Sequence, residues 1–209
     1  MIKTKKSSPA FLTLMLVAST IALSACSGGM GGQKPTVSNS MTPNLQTSAI
    51  DRAMERALAD AEASGNTQEI LAMLAQVNAR NPNDAAVATR YANALREDDQ
   101  INAAIRTLQP FTKGDNKNVD AVTEMAMAQI ALGDFDAAEK YAKESTELDS
   151  KNARGYLALG TAQDALTHHQ EAEISFRQGL KYWQGDPTPI LNNLALNLAI
   201  ICLPTRPMT

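Results

Sequence analysis

Between Ala85 and Asp186 the chain repeats itself: windows 85–118, 119–152 and 153–186, each of 34 residues, lie over one another without a gap. A period of this length means that one small helical unit recurs, that no copy can bury its apolar side alone, and that stacking supplies the core. The eighth positions are Ala92, Ala126 and Gly160, and the twentieth are Ala104, Ala138 and Ala172. Small residues in those two places predict the line along which the two helices of a unit touch. Larger apolar residues surround them at helical spacing: Tyr91, Leu95, Ile101 and Leu108, then Val122, Met125, Phe135 and Leu148, then Tyr156, Leu159, Phe176 and Leu180. An aromatic content of 4% beside abundant alanine fits helix-on-helix packing, so the fold class predicted is all-α.

Residues 51–84 keep the period, with Gly65 at the turn and Asn81-Pro82-Asn83-Asp84 at the close. Leu58 and Ile70 stand there where the other units have small residues, which makes this a looser first unit. Downstream, after a one-residue insertion expected near Gly185, residues 187–201 read as the first helix of a further half unit, with Leu191, Leu194, Ala195, Leu198 and Ile201 as its apolar positions. No second helix follows. In the tail, 202–209, Pro204 and Pro207 forbid a regular helix. The change of character after Ile201 predicts a truncated or frameshifted reading frame, and failing that, an uncovered apolar stripe available to a partner.

The unit 119–152 is the clearest. Gly133-Asp134 turns the chain, Phe135 opens the second helix, Ala138 is the small contact, and Asp149-Ser150-Lys151-Asn152 closes the unit. This pattern resembles the tetratricopeptide repeat. A generic alanine-rich bundle is the competing reading, but here the turn signals recur in phase with the apolar residues. The resemblance implies a right-handed α-solenoid in which the first (A) helix of each unit lines a concave groove. It also implies which positions line it: Thr89, Asn93, Arg96 and Glu97; Asp120, Thr123, Met127 and Ile130; Arg154, Leu157, Thr161 and Asp164. Only two of these are arginines, which argues against a clamp for a terminal carboxylate. An amphipathic helix or extended segment lying on Met127, Ile130 and Leu157 fits better.

Ahead of the repeats stands a different kind of segment. Lys3, Lys5 and Lys6 precede an apolar run from Pro9 to Leu23, the order of a secretory signal peptide. The run is too short to span a bilayer, which takes about 20 residues. Leu23-Ser24-Ala25-Cys26 resembles a bacterial lipobox, which implies cleavage before Cys26 and a lipid on its thiol. Acyl chains gain about 0.8 kcal/mol per buried CH₂, so they anchor a protein without a membrane helix. Ser27, in place of the aspartate that retains such proteins at the inner membrane, implies the periplasmic face of the outer membrane. Residues 26–48, rich in Gly, Ser, Thr, Asn and Pro, read as a tether with an r.m.s. reach of ~25 Å. The repeat domain is then 49–201.

The chain has 19 Lys+Arg and 22 Asp+Glu. Without residues 1–25, which hold three lysines and no acids, the balance is 16 against 22, and an acidic chain has no footprint for nucleic acid. Catalytic signatures are absent, the two histidines His168 and His169 fall in one turn, and with Cys26 lipidated Cys202 has no disulfide partner. The reading is a protein that is not an enzyme, takes no cofactor and no small-molecule substrate, and binds other proteins. Lipobox, tether, repeats and the late Asn192–Ala199 segment together resemble the accessory lipoproteins of tight-adherence (Flp) pilus assembly, with a secretin or other pilus component as the partner implied. A type IV pilotin-like lipoprotein, a periplasmic adaptor for proteases or cell-wall hydrolases, and the regulatory repeats of an enzyme are the alternatives.

Overall fold

The computed structural model describes residues 43–202. The signal peptide, Cys26, the tether up to residue 42 and the tail from residue 203 lie outside the described residues. In order come α1 (Pro43–Ser64), α2 (Thr67–Arg80), α3 (Ala85–Glu97), α4 (Ile101–Leu108), α5 (Val119–Leu132), α6 (Phe135–Leu148), α7 (Ala153–Ala165), α8 (His169–Tyr182) and α9 (Thr188–Cys202). No strand occurs among the described residues. The first helix begins inside the stretch expected to be tether. It opens on Pro43, and a proline there gives up only an N–H that the start of a helix leaves unbonded anyway.

The period is written in the backbone as well as in the side chains. Asp84, Asn118 and Asn152 stand one period apart, directly before α3, α5 and α7, and each side-chain oxygen accepts from a backbone N–H two or three residues on. Such a cap satisfies donors that the first helical turn cannot pair. Helix α9 starts one residue later than that period sets: the Pro187 carbonyl accepts from the Leu191 N–H as the Asn152 carbonyl accepts from the Tyr156 N–H, while Asp186 accepts from the Thr188 N–H at 3.0 Å. Five residues, 183–187, join α8 to α9 where four, 149–152, join α6 to α7, so the one-residue insertion expected near Gly185 is there. Left-handed backbone recurs in the same way, at Gly65, Asp99, Gly133 and Thr167 with φ of 68°, 60°, 83° and 66°. Each of these residues ends an A helix and turns the chain into the second (B) helix. Two of the four are not glycine, which is why the sequence shows only half of these turns.

Packing runs along the stack, each helix lying on the next and each A helix from α3 onward also on the next A helix. Leu58, Leu74 and Ala94 join the first unit to the second; Ala92, Leu95, Ala104, Leu108, Phe111 and Met125 join the second to the third. Ala126, Ala142, Ala158 and Leu159, and then Leu157, Ala172, Phe176 and Ile190, carry the core on to α9. The small positions behave as predicted: Ala92, Ala126, Ala104, Ala138 and Ala172 are fully buried. A Cβ on Gly160 would lie 2.6 Å from the Phe176 ring, so the third unit needs glycine there because its partner is a phenylalanine.

Four expectations change. Leu148, read as core, is 45% exposed at the end of α6. The second unit's B helix is cut to eight residues, because Pro110 enters the following turn Gln109–Phe111 and cannot donate to an α-helical ladder. On α9 the buried residues are Ile190 and Asn197, while Leu191 is 42% exposed and Ala195 lies outside. Glu139, read as part of a solvated face, is tied to Lys143 at 2.8 Å with 18% of its side chain exposed. That hydrogen bond, with a smaller one from Gln163, holds its carboxyl below the ordinary glutamate value.

Candidate functional site: the A-helix face

Glu124, in the middle of α5, is fully buried and reaches two guanidinium groups from the neighbouring A helices. Arg96 Nε of α3 donates to its Oε1 at 2.6 Å, and Arg154 Nη2 of α7 donates to its Oε2 at 2.8 Å. The Asn93 amide braces Arg96, with its oxygen accepting from Arg96 Nη2 at 2.6 Å and its nitrogen donating to Glu97 Oε1 at 3.2 Å, the orientation that satisfies both atoms. A carboxylate taken out of water loses several kcal/mol of hydration, and only well-placed partners return it. Here each oxygen has an arginine of its own, so one side chain pins three successive units.

The register of this pair repeats. Arg96 holds the twelfth position of its unit and Glu124 the sixth of the next. One unit earlier the same two positions are Glu62 and Arg90, paired at 3.2 Å with the charges exchanged. One unit later they are Ile130 and Ala158, packed together in the core. The twelfth residue of one A helix thus meets the sixth of the next, and that contact is ionic, then ionic in reverse, then apolar.

Of the residues expected in the groove, the structure brings Asn93, Arg96 and Arg154 together around Glu124 and turns several others inward. Thr89 is 9% exposed and bonds its own helix at Ala85 O. Thr123 is 1% exposed; its hydroxyl lies 2.6 Å from Ser145 Oγ and accepts from Asn152 Nδ2 at 2.8 Å. Those two threonines are parts of the scaffold. Leu157 is 9% exposed, and Met127 and Ile130 are half-buried against the core, so the apolar strip offers little free surface. Thr161 bonds Leu157 O in its own helix.

Asp164 has become the hub of a second cluster. Its Oδ1 lies 2.6 Å from His169 Nδ1 and accepts from Asn197 Nδ2 at 2.8 Å, joining α7, α8 and α9. His169 is therefore a structural residue at the start of α8, while His168 before it stays exposed. Among the described residues no three His, Cys, Asp or Glu lie close enough to hold a metal ion, and no helix is long and apolar enough to cross a membrane.

Glu124 escaped the sequence reading because the sixth position was not among those expected to face the groove. The signal that finds it is a pair of opposite charges joining the twelfth position of one unit to the sixth of the next. Glu62 with Arg90 and Arg96 with Glu124 both show it.

Residues 119–152 match the tetratricopeptide repeat family. A tetratricopeptide protein of Thermus thermophilus superimposes with a TM-score of 0.64 at 17% identity, over 72% of this chain and 82% of that one. The fold is of the tetratricopeptide type. Two further structures agree with it: the MamA protein, with a TM-score of 0.54 and 16% identity over 71% of this chain and 80% of its own, and the first tetratricopeptide domain of Spaghetti (RPAP3) bound to an HSP90 peptide, SRMEEVD, with 0.51 and 21% over 57% and 94%. No curated protein matches the chain at a significant level. Within this tetratricopeptide fold, helices α1, α3, α5, α7 and α9 are the A helices.

Proposed function

We propose that this protein is a lipid-anchored scaffold on the periplasmic face of the outer membrane, binding a protein partner along its A helices and serving the assembly of a tight-adherence pilus. The observations that support a binding role are the side-by-side array of A helices and the likeness in fold to the Spaghetti domain, which is bound to an HSP90 peptide. That peptide, SRMEEVD, is acidic. In this chain Arg96 and Arg154 share Glu124, and Glu97 lies 4.0 Å from Arg96 as well, so two acids already face the two arginines; a partner segment of a different kind is expected, held by backbone and apolar contacts along the exposed rim. The lipobox at Leu23 to Cys26 supports the anchor, and Ser27 the outer membrane.

Two measurements test the proposal in cells. A photo-crosslinking residue placed at Asp120 or Glu97, exposed on the A helices, should trap a secretin or another pilus component, whereas one placed at Lys140 on α6 should not. Capture only from Lys140 moves the site off this face. Replacing Cys26 by Ala should remove the protein from the outer-membrane fraction. Fractionation at the wild-type level means that Cys26 is not the anchor.

A further inference from the structure

Helix α9 is unlike the rest of the molecule. The described residues 43–202 contain all 22 acids of the chain and, since Lys3, Lys5, Lys6, Lys34 and Arg206 lie outside, 14 of its 19 basic residues. Every other α-helix carries charge; α9, TPILNNLALNLAIIC, carries none. Its inner side, through Ile190, Leu194 and Asn197, closes the core against α7 and α8. Its outer side is uncharged and open, polar only in its first turns at Thr188 and Asn192 and apolar beyond them: Leu196 is 64% exposed and Ile200 46%, with Ala195 and Ala199 exposed beside them.

We infer that this outer face is a homodimer interface, in which α9 of one copy packs antiparallel on α9 of a second copy across a twofold axis. Two copies of an acidic protein repel one another over most of their surface at contact distances, where salt screens little. An uncharged face is where they can meet without that penalty. The shape of the face points the same way. Leu196 and Ile200 form a column of large residues one turn apart, and Ala195 and Ala199 form a column of small ones next to it. In an antiparallel pair, the register that sets Leu196 of one copy over Ala199 of the other also sets Ile200 over Ala195. A twofold axis makes both contacts twice, so the large column of each copy fills the small column of its partner. A contact built on a single helix is at the small end of specific interfaces, and dissociation in the micromolar range is expected.

The test uses the purified mature chain, residues 26–209, with Cys26→Ser and Cys202→Ser, so that neither signal peptide, lipid nor disulfide contributes, and follows mass against concentration by sedimentation equilibrium. The expected result is a reversible rise to twice the monomer mass. Leu196→Glu with Ile200→Glu should leave only monomer, with an unchanged far-ultraviolet circular dichroism spectrum because both positions face water. Ala199→Leu keeps the face apolar but fills the small column, and should weaken the dimer at least tenfold. A wild-type chain that stays monomeric at the highest concentration reached overturns the inference. So does a dimer that survives the double glutamate variant, and so does an Ala199→Leu variant that pairs as tightly as the parent. Mass that keeps growing beyond two copies, in place of a plateau, also overturns it.

Discussion

Replacing Arg96 by alanine should be among the most damaging single changes outside the apolar core. Glu124 is fully buried, and the side chain of Arg96 retains only 23% of its exposure, whereas Arg154 retains 50%. With Arg96 gone, Glu124 Oε1 loses its 2.6 Å donor and the carboxylate is held by Arg154 alone. Removing one partner of a buried ion pair costs roughly 3 to 5 kcal/mol, most of it the penalty of the charge left behind. Arg154→Ala should cost less, about 1 to 2 kcal/mol, because water already reaches that guanidinium and can take its place. A domain of this size shifts its melting temperature by about 2 to 4 °C per kcal/mol, so Arg96→Ala should lower it by roughly 6 to 20 °C. Thermal unfolding followed by circular dichroism measures this. A second step separates charge from packing: adding Glu124→Leu to Arg96→Met and Arg154→Met removes the buried carboxylate together with both of its guanidinium partners, and should recover much of the loss. If Arg96→Ala melts within ~2 °C of the parent, Glu124 is effectively solvated and the argument from its burial is wrong.

Thr167 is a β-branched residue at φ 66°, exposed and at the position where Gly65 and Gly133 stand in other units. The left-handed conformation costs an L-residue about 1 to 2 kcal/mol, while glycine gives back roughly 0.5 to 1 kcal/mol in chain entropy. Thr167→Gly should therefore raise stability by about 0.5 to 1 kcal/mol in urea titration, and a loss would show that the side chain holds the turn in some other way. Ala138→Leu, at a fully buried contact between α5 and α6, should cost ~1 to 3 kcal/mol by overpacking, while Lys140→Ala on the exposed face should change almost nothing. Equal effects at the two sites contradict the phase assigned to the repeat.

The parts of this fold that can be read from the sequence are those in which one residue type is demanded at a fixed place. Alanine or glycine at the eighth and twentieth positions recurs in phase, and the structure buries it at the helix contacts as expected; the caps Asp84, Asn118 and Asn152 recur in phase beside it. The first unit shows how far this goes: Leu58 is as fully buried as the alanines it replaces, so volume at that position is negotiable when the partner helix adjusts. The unreadable parts depend on which neighbour a side chain finds. Nothing local distinguishes Thr123, which turns inward to Ser145 and Asn152, from a threonine facing a groove. Arg96 and Arg154 were legible as residues of the A-helix face, but their spent charge was not, because Glu124 reaches both only after the helices have stacked. On α9 the residues that meet the core are Ile190 and Asn197. The leucine pattern misled there, because a buried asparagine bonded to Asp164 and to the His169 carbonyl occupies a place where an apolar residue was anticipated.

The contact between the twelfth position of one unit and the sixth of the next has a consequence for how such a chain can be lengthened. Repeat arrays grow when a gene segment encoding one unit is duplicated in tandem. If the segment for residues 119–152 were copied, the new Glu124 would face Ile130 of the copy before it, since Ile130 is what this unit offers at its twelfth position. A carboxylate would then be buried against an aliphatic side chain, losing the donor that Arg96 supplies now. The units of this protein are alike in backbone and yet not interchangeable, and their order along the gene is fixed by charges that a single copied unit cannot bring with it.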